Sequence, residues 1–174
     1  DKHVLSSFYL GDNEWGHPQF DTTRSEAGEA SYQLKYRGNW DQVEPLAQAL
    51  ALHIFPKCAN VRFIVPMPAS QVRERQPVTE VALALGRILN MPVIESLAKD
   101  PGGQALKNLQ TKEAKLEALA NRITVVDRIT NNGQWNVLLV DDLYDSGASM
   151  EAACNALRGY PKVNKIYVAA LTWK

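Results

Sequence analysis

Residues 137–149 read VLLVDDLYDSGAS: four aliphatic side chains in a row, two aspartates, two further apolar positions, then a run of small residues. Aliphatics without polar alternation fit a strand covered on both faces, the usual condition of a parallel sheet. The small residues lead into a helix over 147–158, with Met150, Cys154 and Leu157 on its inner face and Gly159 as its cap. A buried strand passing through a tight loop into a helix is the opening half of a βαβ unit.

The flanking sequence continues this pattern. Residues 61–65 (VRFIV) form a compact β-rich run ended by Pro66 and Pro68. Residues 77–89 form an amphipathic helix opened by Pro77, with Val78, Val81, Leu85, Ile88 and Leu89 facing inward. An earlier helix starts at Asp41, which has capping-box spacing to Glu44. Its stripe of Val43, Leu46, Leu50 and Ile54 runs until Pro56. Short strands are expected at 92–94 and 122–126, a helix over 111–120, a turn at Asn131-Asn132-Gly133, and a last strand at 165–173 (KIYVAALTW). Strands alternating with helices imply crossovers and a mainly parallel, Rossmann-like sheet in an α/β domain spanning 41–174. The first forty residues differ: 3–10 (HVLSSFYL) and 30–36 (ASYQLKY) read as two short strands joined by a long polar connection. Residues 1–40 are therefore expected to form a small N-terminal appendage.

Composition sets the outer limits. The 174 residues carry 19 basic and 19 acidic side chains and no net charge, which argues against bulk nucleic-acid binding. Cys58 and Cys154 form no CxxC pair, so a reducing cytoplasm is the expected location. No apolar run approaches the roughly 20 residues that span a bilayer. The chain begins at Asp1 rather than at a methionine, which leaves room for residues upstream. His3, His17 and His53 have no metal-ligand spacing.

In parallel α/β sheets, ligands sit beyond the carboxyl ends of the strands, where Asp141 and Asp142 fall. Paired carboxylates there accept hydrogen bonds from vicinal hydroxyls such as those of a ribose. Asp145, Ser146, Gly147, Ala148 and Ser149 follow at once; their small side chains let backbone N–H groups converge, and the helix N-terminus favours an anion. A diol reader joined to a phosphate cradle is what a ribose 5-phosphate requires. The same aliphatic-Asp-Asp pattern also describes a Walker B strand, a receiver-domain strand, or a strand with a solvated acidic end. No GxxxxGK[ST] loop precedes it, and a receiver domain carries its acidic pair near the chain start.

This segment resembles the thirteen-residue phosphoribosyl pyrophosphate motif of the type I phosphoribosyltransferases. Residues 32–38 (YQLKYRG), 65–75 (VPMPASQVRER), 104–121 and the final strand resemble the ComF/GntX subgroup, often described as predicted amidophosphoribosyltransferases. The resemblance covers about residues 30–174. It implies the type I phosphoribosyltransferase fold, with residues 1–40 as a hood. There are departures. The subgroup's N-terminal zinc ribbon is absent, its R-G-F-N-Q stretch appears as Arg75-Gln76-Pro77-Val78-Thr79, and Ala118 replaces an asparagine. Asp145 stands where the subgroup has threonine and hypoxanthine–guanine enzymes have aspartate beside the purine N7. The strand 168–174 (VAALTWK) matches theirs as well, which points Lys174 at a base.

The resemblance also assigns the remaining site. Ala69, Ser70, Arg73 and Arg75 follow the 61–65 strand at the place of a pyrophosphate loop, although Arg73-Glu74-Arg75 reads equally well as a self-paired surface run. Lys35 and Arg37 lie on the expected N-terminal strand and either overhang the site or mark a sheet edge. Residues 100–110, with Gln104 and Lys107, stand at the place of the family's flexible closing loop. Trp173 is a candidate for stacking on a base, or a core or subunit contact. The expected function is transfer of ribose 5-phosphate from phosphoribosyl pyrophosphate to a nitrogen nucleophile such as a purine-like base. Mg²⁺ is held through substrate oxygens, and Asp141, Asp142 and Asp145 are the catalytic candidates. The rival expectation is a non-catalytic phosphoribosyl pyrophosphate or nucleotide-binding module of a ComF-like DNA-uptake or regulatory system. Either is compatible with a homodimer.

Overall fold

The computed structural model describes residues 1–71, 73–100, 111 and 122–174. Its centre is a parallel sheet in which β6 (Trp135–Tyr144) lies between β3 (Val61–Pro66) and β7 (Val163–Trp173). The aliphatic run of β6 occupies the middle position because both of its faces are covered. Val137 and Leu139 pack with Phe63, Val65 and helix α4 (Ala148–Arg158) on one side. Leu138 and Val140 pack with Ile64, Ala169 and Leu171 on the other, beneath α2 (Val43–His53) and α3 (Pro77–Leu89). All four of these β6 side chains are fully buried. Alternate residues of one strand thus feed two hydrophobic layers, the condition that a run without polar alternation satisfies.

Helix α3 has the bounds its periodicity predicts, with Pro77 in the first turn and Asn90 in the left-handed conformation at its end. Ile88 is a correction: it was expected inward but is 40% exposed, on the shoulder of a stripe that Val81, Ala82 and Leu85 already fill. The capping box expected of Asp41 does not form either. Asn39 caps a single 3-10 turn (Trp40–Gln42) by accepting from the Asp41 N–H, and α2 follows without a side-chain cap. The expected strand at 92–94 is reduced to one parallel bridge, Val93 to Ile64, at the β3 edge.

The N-terminal region departs most from expectation. Residues 30–36, read as a strand, lie within helix α1 (Glu26–Arg37). The end signals outweigh the local alternation. Ser25 Oγ accepts from the Gly28 N–H, Glu26 and Glu29 occupy the first turn, Lys35 and Arg37 the last, and Gly38 caps with φ 65°. A Cβ on Gly28 would lie 2.2 Å from the His3 carbonyl oxygen, so the helix rests directly on the N-terminal backbone. The long polar connection is instead a hairpin of β1 (Val4–Asp12) and β2 (Pro18–Arg24). Its turn is tied by Asn13 Oδ1, which accepts from the N–H groups of Trp15 and His17. Residues 1–3 extend the main sheet at β7: the His3 N–H donates to the Trp173 carbonyl, and the Trp173 N–H to that of Asp1.

The strand expected at 122–126 is β5 (Ile123–Val125), paired antiparallel with β4 (Leu97–Lys99), which the sequence reading missed. Of the helix expected over 111–120 and the loop over 100–110, only Asp100 and Thr111 are described; Gln104 and Lys107 lie outside the described residues.

Candidate functional site

At the carboxyl end of β6 the strand stops being covered by aliphatics and opens into a cleft of about 760 Å³. Asp141 still belongs to the buried strand, at 8% exposure. Its Oδ1 accepts from the Asp142 N–H at 2.8 Å, and the Asp142 carbonyl accepts from Thr172 Oγ1 on β7 at 3.1 Å. Burial, and then the charge of Asp142, raise the Asp141 carboxyl from its ordinary 3.8 to about 7. The chain turns through Asp145 and Ser146 to Gly147, whose φ of 79° delivers it to the N-terminus of α4. A Cβ at Gly147 would come within 2.5 Å of the Tyr144 hydroxyl, so the glycine also makes room for a tyrosine folded over the loop. Asp145, Ser146, Ala148 and Ser149 line the same cleft.

The facing wall is the loop after β3, held beside β6 by the Met67 N–H, which donates to the Val140 carbonyl at 2.8 Å. Ala69, Ser70 and Arg73 line the cleft from this loop. Two cations that the sequence reading did not single out join them. Lys99, from the end of β4, donates to Ser70 Oγ at 2.8 Å. Arg122, just before β5, donates to the Asp100 carbonyl, while its Nε is buried with no partner among the described residues. Burial, and then the charge of Arg122, lower the Lys99 ammonium. The one signal for this pair in the sequence is placement: Lys99 stands just before the expected closing loop and Arg122 at the start of the strand expected at 122–126.

A third contribution comes from α1. Lys35, in its last turn, forms an ion pair with Asp142 Oδ2, and its carbonyl accepts from Arg73 Nη1 at 3.0 Å. Burial works against the Lys35 charge, but the Asp142 carboxylate outweighs it and the ammonium sits above its ordinary value. Tyr36 beside it lines the cleft, as does Tyr144. Of the other described candidates, Arg37, Arg75, Trp173 and Lys174 do not line it. Arg75 is paired with Glu80 at 3.0 Å and stacked 4.0 Å over the ring of Trp40. Arg37 lies 5.7 Å over the ring of Tyr32. Trp173 is half-exposed at the end of β7, and the Lys174 N–H donates to the Tyr144 carbonyl.

Three solved structures share this arrangement of elements. An adenine phosphoribosyltransferase superposes with a TM-score of 0.52 at 12% identity, over 98% of this chain and 86% of that one. Glutamine phosphoribosylpyrophosphate amidotransferase from B. subtilis, complexed with ADP and GMP, gives 0.56 at 14% identity, over 91% of this chain and 34% of that one. Adenine phosphoribosyltransferase from Saccharomyces cerevisiae, complexed with adenine and an imino-altritol bisphosphate, gives 0.50 at 13% identity, over 98% and 85%. No protein-family model and no curated protein matches the chain. The chain has the fold of the type I phosphoribosyltransferases, α/β with a central parallel sheet. Among the described residues, no helix is long and apolar enough to cross a membrane.

Proposed function

We propose that the protein is a cytoplasmic phosphoribosyltransferase of the ComF/GntX kind, taking phosphoribosyl pyrophosphate with Mg²⁺ and passing ribose 5-phosphate to a nitrogen nucleophile. One observation carries this reading. A single cleft gathers the carboxylates of Asp141 and Asp142 and the loop 145–149 at the start of α4, facing Ser70, Arg73, Lys99 and Arg122. The carboxylates accept from the 2- and 3-hydroxyls, and the N–H groups of the loop take the 5-phosphate. The opposite wall, with its three cations, takes the diphosphate.

The reaction breaks the bond between C1 and the diphosphate oxygen and forms a bond from C1 to nitrogen. Negative charge grows on the departing diphosphate while C1 becomes cationic, so fixed positive charge at the leaving group lowers the barrier. Asp145, on the cleft wall, is the candidate acceptor for the proton shed by the nucleophile. Mg²⁺, held mainly by substrate oxygens and water, supplies further neutralising charge to the diphosphate when bound.

A second reading, a non-catalytic phosphoribosyl pyrophosphate or nucleotide-binding module, keeps the ribose 5-phosphate half of the site. The observation on its side is Arg75, which is engaged by Glu80 and Trp40 rather than lining the cleft. Pyrophosphate release, followed across purine bases, pyrimidine bases, glutamine and ammonia, separates the two. The enzyme releases pyrophosphate with at least one acceptor and loses that activity on Asp142→Asn. Saturable phosphoribosyl pyrophosphate binding without release for any acceptor would replace the enzyme with the binding module.

A further inference from the structure

Asp142 is held at three points, two of them through the backbone. Its N–H donates to Asp141 Oδ1, its carbonyl accepts from Thr172 Oγ1, and its Oδ2 is paired with Lys35. Thr172 Oγ1 lies 3.1 Å from His3 Nδ1, so the N-terminal segment backs this residue as well. Lys35 is the one cation paired with this carboxylate among the described residues, and the Asp141 carboxyl is its other side-chain neighbour. Without a cation beside it the Asp142 carboxylate would turn toward solvent. The half-buried ammonium opposes that movement and fixes the plane of the carboxylate. Its own position is fixed in turn, because the Lys35 carbonyl accepts from Arg73 of the facing loop.

We propose that Lys35 is the residue that sets selectivity for ribose: by pinning Oδ2 of Asp142 it aims Oδ1 at a sugar hydroxyl, and so ties recognition of the diol to the position of α1. Lys35 acts through Asp142 and is a positioning residue. The inference rests on the proposed binding of ribose 5-phosphate by this cleft, with the phosphate taken at 146–149, whereas the side chain of Lys35 is paired with Asp142. Loss of Lys35 therefore lowers discrimination between sugars without weakening the phosphate contact. A lysine with a merely structural role would affect both alike.

The test titrates the full chain, Lys35→Met and Lys35→Arg with ribose 5-phosphate, 2-deoxyribose 5-phosphate and inorganic phosphate, following backbone amide resonances of residues 146–149. The wild type is expected to prefer ribose over deoxyribose by about tenfold or more, the scale of one hydrogen bond to a charged acceptor. Lys35→Met should reduce that preference to below about threefold with phosphate affinity unchanged, and Lys35→Arg should retain most of it. A Lys35→Met protein that keeps the wild-type preference, or that loses phosphate affinity in step with it, overturns the inference and leaves the binding site standing. A wild type whose 146–149 amides respond to none of the three ligands overturns the binding site and the inference together.

Discussion

Asp141 sits in a covered strand beside a second carboxylate, and both circumstances oppose its ionisation, burial more than the neighbouring charge. Unfolded, the group ionises near its ordinary 3.8; folded, near about 7. Between those values the folded chain holds a proton that the unfolded chain has lost, so folding becomes less favourable as pH rises through the window. The ligand-free protein should therefore lose Tm from about pH 4 to about pH 7, and Asp141→Asn should flatten that decline in a thermal melt series. An equal slope in the variant would mean that Asp141 is ionised throughout. At this scale the contiguous residues were legible: Asp141 to Ser149 reach the cleft together because strand, loop and helix follow one another directly. Lys99, Arg122 and the pairing of Lys35 with Asp142 were not, because each is brought to β6 by elements distant in sequence. A lone surface lysine and a lone site lysine look alike in one dimension.

The elements divide along the same line. β3, α3, β6, α4 and β7 could be read because long apolar runs and clean helical stripes report burial against a sheet. Residues 30–36 were misread because a short window with Tyr32, Leu34 and Tyr36 in alternation mimics a strand, whereas the deciding signals lie at its margins, in Ser25 and Gly38. Helix α1 is thus specified by its caps and by the burial of Gly28, Ser31 and Leu34 along one face. Ser25→Ala should remove the cap on the Gly28 N–H and cost about 1 kcal/mol, measured as a lower urea midpoint at unchanged slope. If α1 carries Lys35 to Asp142, the same variant should also weaken ribose 5-phosphate binding. An unchanged urea midpoint would show that tertiary packing alone holds the helix. β4 escaped notice because a three-residue strand carries too little sequence for a period, and its pairing with β5 is a long-range event.

For the whole molecule, the sheet places its two useful ends side by side. β3 and β6 run parallel, so the loop after β3 and the loop after β6 open on the same edge, and the cleft follows from that topology. Net neutrality conceals a local division of charge: Asp141 and Asp142 on one wall, Arg73, Lys99 and Arg122 on the other, with Lys35 joined to Asp142. That division suits a ligand with a neutral diol at one point and a dense negative charge at another. It is tested most directly by calorimetric titration of the wild type and of Asp142→Asn with phosphoribosyl pyrophosphate in the presence of Mg²⁺. Saturable one-site binding by the wild type, weakened at least about tenfold in the variant, is the predicted result; no heat of binding in the wild type, or equal affinity in both, would contradict it.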